Sequence, residues 1–190
     1  MRKLVRALQT LFSRKRLTGE RIFLRPPKRR DSKKWQHLRS ISKEFLIPWE
    51  PSWDKYSCSR KTFFRQLKNS SISANLDQAY SFYIFKNSDN TLIGGVNVGN
   101  VRRGASQCAA LGYWIGKPYA EKGYMMEALN ILIPSLFVDL RFNRIEAATL
   151  PENIPSRKLL EKVGFTEEGL LREYLNINGK WRDHIIYGLL

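Results

Sequence analysis

The sequence predicts a single α/β domain built on a mixed, twisted sheet of about six or seven strands with helices on its faces, and three observations carry that reading. The chain has 190 residues, the length of one domain with a sizeable core. Strand-period apolar runs fill the middle and the end, and two helix-period stretches are set between strands. The order is strands first, then strand, helix, strand, helix and a closing hairpin, which suits a mixed sheet better than a doubly wound one.

Each element has a local reason. RIFLRPP (21–27) reads as a short strand stopped by prolines, and Asp31 is placed to cap a helix over 32–41. FLIPWEPSW (45–53) reads as an aromatic, proline-bound loop, followed by a helix over 59–69. Strands over 80–86 and 91–101 flank a polar turn at 87–90 and so form a hairpin, with a further strand over 108–116. A long apolar helix over 123–140, a strand over 144–149 and a helix over 155–163 come next. Strands over 166–175 and 181–189 close the chain around the turn NINGK.

Composition narrows the function classes. The net charge is +16, of which residues 1–34 supply +11 through 13 Lys or Arg against Glu20 and Asp31. Residues 1–18 form a basic arm ahead of a domain over 19–190. Leu4, Val5, Leu8, Leu11 and Phe12 give the arm a helical apolar stripe suited to packing on the domain, to RNA, to an anionic membrane or to an acidic protein. Cys58 and Cys108 stand apart without CxxC spacing, so neither a zinc cluster nor a disulfide framework is indicated, and His37 and His184 are too few for a histidine metal site. No metal is expected. No apolar run reaches the ~20 residues needed to span a bilayer, and no signal peptide is visible, so a cytoplasmic protein is expected.

The most informative stretch is ALGYWIGKPYAEKGYMMEALNIL, where a strand ends at Gly116 and a helix opens near Gly123. The first turn of a helix has backbone N–H groups without internal partners and lies at the positive end of the macrodipole, so it can grip a diphosphate by backbone alone. Gly123 removes the side chain that would keep a phosphate away, and Lys117 and Lys122 add charge. By itself this pattern also fits an ordinary loop closure. Downstream, PENIPSRKLLEKVGFTEEG sets Asn153 and Ser156 before a short amphipathic helix with a Gly-Phe exit.

Together these two motifs resemble the GNAT acetyltransferases, whose first loop has the form Q/R-x-x-G-x-G/A and whose second is N-x-x-S followed by LL-E-K-x-GF. Within that superfamily the likeness is to the RimJ type, which acetylates the N-terminal amine of a ribosomal protein. FLIPWEP (45–51), GNVRRG (99–104), LGYWIG (111–116), KGYMMEAL (122–129), NIPSRKLLEKVGF (153–165) and YLNINGKWRDH (174–184) carry it over nearly the whole domain. The loop here, Ala120-Glu121-Lys122-Gly123-Tyr124-Met125, lacks the family's opening Gln or Arg and its closing small residue.

The resemblance implies acetyl-CoA as cosubstrate, held by Tyr113, Trp114 and Ile115 through their main chain, by Lys122, Gly123, Tyr124 and Met125 at the diphosphate, and by Asn153 and Ser156 along the pantetheine. A backbone N–H of Trp114 or Ile115 would stabilise the oxyanion. Ser156 would protonate the departing thiolate, and both Asn153 and Ser156 also make sense as helix-cap residues. Tyr174 is a second candidate acid or a packing residue. An α-amine with a pKa of about 7.7–8.0 is partly neutral near pH 7, so a weak base acting through water is sufficient. Glu173 is the first candidate for that base, Glu50 the second and Asp183 the third. Trp49 and Trp53 would wall the acceptor groove, and Arg102, Arg103, Trp181, Arg182 and Asp183 would lie at its rim. The implied acceptor is a ribosomal protein N-terminus. A small amine or antibiotic is the enzymatic alternative, and the alternative of another class is a ribosome- or RNA-binding assembly factor using the basic arm, in which acetyl transfer is secondary or absent.

Overall fold

The computed structural model describes Phe12 and residues 15–190. Most of the basic arm expected over 1–18 lies outside the described residues. Its described end is anchored: Phe12 is 1% exposed and sets its ring edge-on to Tyr80 and Phe82, while Lys15 bonds Asp139 at 2.5 Å.

Eight strands form one sheet. They are β1 (Leu17–Thr18), β2 (Ile22–Arg25), β3 (Tyr80–Lys86), β4 (Leu92–Arg102), β5 (Cys108–Ile115), β6 (Arg144–Thr149), β7 (Thr166–Ile177) and β8 (Lys180–Leu189), in the order β1-β2-β3-β4-β5-β6-β8-β7. The helices are α1 (Ser32–Ile41), α2 (Lys43–Leu46), α3 (Arg60–Asn75), α4 (Tyr124–Val138) and α5 (Ile154–Lys162). Seven of the strands fall where the apolar patterning predicts them. The eighth, β1, is two residues long, too short to show a period.

Two cores sandwich the sheet. On one face α4 places Met125, Ala128, Leu129, Leu132, Ile133 and Leu136, at helical spacing, against Leu24, Phe82, Ile84 and Val96. On the other, Trp35 and Leu38 of α1 and Phe63 of α3 meet Phe23, Tyr83, Phe85 and Leu92. Strand β2 is therefore buried on both faces, which explains its unbroken apolar run.

Two local expectations are corrected. Asp31 does not cap α1; it is 2% exposed and takes both Arg25 guanidinium nitrogens, at 2.7 and 2.6 Å, because a buried carboxylate gains more from a bidentate partner than from a helix amide. The segment 45–53 is not all loop, since α2 and a single 3-10 turn over Ile47–Trp49 occupy its first half.

Candidate active site

All neighbouring strand pairs are antiparallel except β5 and β6, and that pair is short. It runs from Cys108↔Arg144 to Leu111↔Ala147 and then stops. Beyond it, Gly112 to Ile115 pair only with β4, whereas Ala148 and Thr149 pair only with β8. The sheet thus parts in its middle, and β5 leaves unpaired backbone groups along the opening.

Tyr113 and Trp114 point to opposite faces at this split, as alternation requires. Tyr113 packs with the α4 face and Trp114 with the α1 face, where a Cβ on Gly95 would come within 2.7 Å of the indole nitrogen. Glycine at 95 lets the indole lie against β4. A molecule in the split lies within reach of side chains from both faces.

On the α4 face the loop from β5 turns through Lys117–Tyr119 and reaches Gly123, whose φ of +78° is left-handed, a conformation that favours glycine. No side chain caps α4, so the amides of Tyr124, Met125 and Met126 lack helical acceptors. Lys122 Nζ folds back onto the Pro118 carbonyl at 2.7 Å. Arg21, from the β1–β2 turn, donates from Nη1 to the Lys122 carbonyl at 3.1 Å and from Nε to Glu127 at 2.8 Å, and lies 4.8 Å from the Tyr124 ring centre. A guanidinium therefore stands at the mouth of an uncapped helix, from a position the loop motif gives no hint of.

Helix α5 begins on the other side of the split. Asn153 Oδ1 accepts from the Ser156 amide at 3.2 Å, and the Ser156 hydroxyl lies 2.8 Å from the Tyr113 hydroxyl. Burial pushes the Tyr113 phenol up to about 12 against the opposing effect of the Ser156 hydrogen bond, so it is protonated near neutral pH. Tyr113, Asn153 and Ser156 are thus brought together.

The candidate bases are separated in character. Glu50 holds Arg39 in a bidentate pair at 2.7 and 2.5 Å and accepts from Trp53 Nε1 at 3.0 Å; the Arg39 guanidinium also stacks on Trp53 and Trp114, at 4.2 and 5.0 Å from their centres. Glu50 is therefore engaged in fixing an aromatic wall. Glu173 sits exposed in a bulge of β7 with φ +47°, its amide donating to Asp183 at 2.9 Å. The β7–β8 turn touches the Glu50 loop, the Asn178 amide donating to the Glu50 carbonyl at 3.0 Å.

The rim assignments divide. Arg182 pairs with Glu152 beside Asn153, and Trp181 is 62% exposed. Arg102 and Arg103 lie at the opposite end of the β4–β5 pair from the split, where Arg102 holds Glu146 at 2.5 Å and Arg103 holds Asp77 at 2.7 Å. Those two arginines brace the fold away from the opening.

The profile of the Acetyltransferase (GNAT) domain matches residues 21–166. The chain belongs to the GNAT acetyltransferase family. This GNAT chain is an N-acetyltransferase, and its similarity to named relatives is close to full length. The Escherichia coli (strain K12) ribosomal protein uS5-alanine N-acetyltransferase is 34% identical over 174 residues, covering 92% of this chain and 90% of that protein. Mycobacterium smegmatis RimJ, solved in complex with CoA-disulfide, superposes with a TM-score of 0.88 at 32% identity, over 93% of this chain and 87% of that one. Vibrio fischeri ribosomal-protein-S5-alanine acetyltransferase gives 0.86 at 28% identity, over 93% and 96%. No helix of the GNAT chain's described residues is long and apolar enough to cross a membrane, and both cysteines are free thiols.

Proposed function

We propose that this enzyme transfers the acetyl group of acetyl-CoA to the N-terminal α-amine of a ribosomal protein, by direct attack of the amine on the thioester. The observation that carries the reading is the unpaired edge of Gly112 to Ile115, opening beside the uncapped start of α4. The E. coli uS5-alanine relative supports the choice of acceptor.

In this reading the coenzyme's diphosphate sits on the amides of Gly123, Tyr124 and Met125 with Lys122 and Arg21 adding positive charge. The pantetheine runs along Tyr113, Trp114 and Ile115 as an extra strand and meets Asn153. The thioester carbonyl points at the Trp114 or Ile115 amide, which takes up the oxyanion's charge. The acceptor amine arrives from the face walled by Trp53, Trp114 and the Arg39–Glu50 pair.

The new N–C bond forms as the C–S bond breaks. The amine's proton leaves through water to Glu173, which is favoured over Glu50 because both Glu50 oxygens are already taken. Ser156 gives its proton to the thiolate and takes another from solvent, while Tyr113, its hydroxyl 2.8 Å away, stays protonated and holds the serine in place; Glu173 in turn releases the amine's proton to water. The enzyme then works in the cytoplasm, where both its free cysteines and ribosomal proteins are at home.

The test is to incubate the full-length enzyme with acetyl-CoA and, separately, with ribosomal proteins and with small polyamines, and to weigh the products by intact mass spectrometry. One added acetyl group on one protein N-terminus is expected. Acetylation of the polyamines alone would reject the acceptor, and absence of saturable acetyl-CoA binding by calorimetry would reject the site.

A further inference from the structure

The charge of this molecule is unevenly neutralised. Over the sheet's second half most carboxylates hold a cation: Glu146, Glu152, Glu167 and Glu168 each pair with an arginine. Residues 28–75 are different. They contain twelve Lys or Arg against Asp31, Glu44, Glu50 and Asp54, a net +8 of the chain's +16. Asp31 and Glu50 are consumed by Arg25 and Arg39, and Asp54 turns into its own loop, accepting from the Tyr56 amide and the Ser57 hydroxyl, each at 2.8 Å.

The leftover cations are gathered on one surface. Helices α1 and α3 pack side by side over the sheet, and neither contains a carboxylate. Arg29, just before α1, and Arg60, at the start of α3, both lie over the Phe64 ring, at 5.1 and 5.5 Å, so the two helix starts converge. Lys61, Arg65 and Lys68 follow at helical spacing along one exposed stripe of α3, with Lys33 exposed on α1. None of these six side chains forms an ion pair among the described residues, although Asp54 also feels the charge of Arg65. Like charges four residues apart cost a helix ~0.2–0.5 kcal/mol per pair, and no acidic neighbour on these helices offsets it.

We propose that the outer face of α1 and α3 is an RNA-docking surface that holds the phosphate backbone while the acceptor groove, at the far end of α1, receives a protein terminus. Charge complementarity carries the polyanion. A lipid surface fits less well, because the exposed apolar side chains of these helices, Ile41, Ile72 and Leu76, lie at their C-terminal ends and not among the cations, leaving nothing to insert between headgroups. The choice of RNA over other polyanions rests on the ribosomal acceptor proposed above. The surface contains no residue of the segment 1–18 and none of those assigned to acetyl transfer.

The experiment measures fluorescence anisotropy of a labelled RNA hairpin titrated with the full-length enzyme at several salt concentrations, beside vesicles of phosphatidylserine and phosphatidylcholine. The comparison variant is Lys61→Glu/Arg65→Glu/Lys68→Glu, with Lys61→Gln/Arg65→Gln/Lys68→Gln as a milder partner. Expected are salt-sensitive RNA binding by the parent enzyme, weakening by about tenfold or more in the reversed variant, and a log–log salt slope shallower by roughly 2–3. Acetylation of an isolated peptide should be unchanged in both variants, which separates this surface from the acceptor reading. Parent-like RNA affinity in both variants, no salt-sensitive binding at all, or equally tight binding to the vesicles would each overturn the proposal.

Discussion

Helices α4 and α5 begin on either side of the same split in the sheet, one after β5 and one after β6, yet their first turns are finished in opposite ways. At α5, Asn153 Oδ1 caps the Ser156 amide, and Pro155 has no N–H to satisfy. At α4 the cap position is a left-handed glycine with no side chain, and no other side chain takes its place. Equal positions have thus been given unequal chemistry. The α4 terminus is left open, as the proposed binding of the coenzyme's diphosphate requires, while the α5 terminus is closed by its own sequence and would contribute through the Ser156 hydroxyl.

The largest expected effect sharpens the α5 side of that contrast. Ser156→Ala leaves the backbone cap intact, so the melting temperature should hold while kcat falls by about a hundredfold, the lower range for loss of a general acid. A parent-like kcat with saturating acceptor would leave Ser156 as a cap residue only. Next, Gly123→Val should raise the acetyl-CoA KM by roughly tenfold or more, since its Cβ strains a left-handed backbone and stands where a phosphate would approach. Circular dichroism must show the fold retained, and an unaltered coenzyme KM would erase the distinction between the two helix starts. The smallest effect is on stability: Asn153→Ala should lower unfolding free energy by about 1 kcal/mol in urea denaturation. No change there would mean the α5 cap is as dispensable as its absence at α4.

The features that could be read directly from the chain are those set by neighbours in sequence. Gly123 and the Asn153–Pro155 pair punctuate their helices locally, and the α4 and α5 boundaries fall within two residues of expectation. Helix α3 runs on to Asn75, six residues past its expected end, because NSSIS has no glycine or proline to stop it. Arg21 and Arg39 were not foreseeable. The first meets Glu127 across 106 residues, and the second gains its meaning only when Glu50, Trp53 and Trp114 are folded around it. Asp31 misleads for the same reason, since a helix-cap residue and half of a buried ion pair look alike until Arg25 is in place.

The short ladder between β5 and β6 leaves five strands fastened to three by only four residue pairs. A coenzyme lodged beyond that seam would make the hydrogen bonds a neighbouring strand otherwise supplies, so the backbone is, in effect, an unfinished fabric completed by its own reagent. Ligand that binds only the folded chain adds stability in proportion to the logarithm of its concentration, and the endurance of this enzyme in a cell is accordingly tied to the abundance of the acetyl donor it consumes.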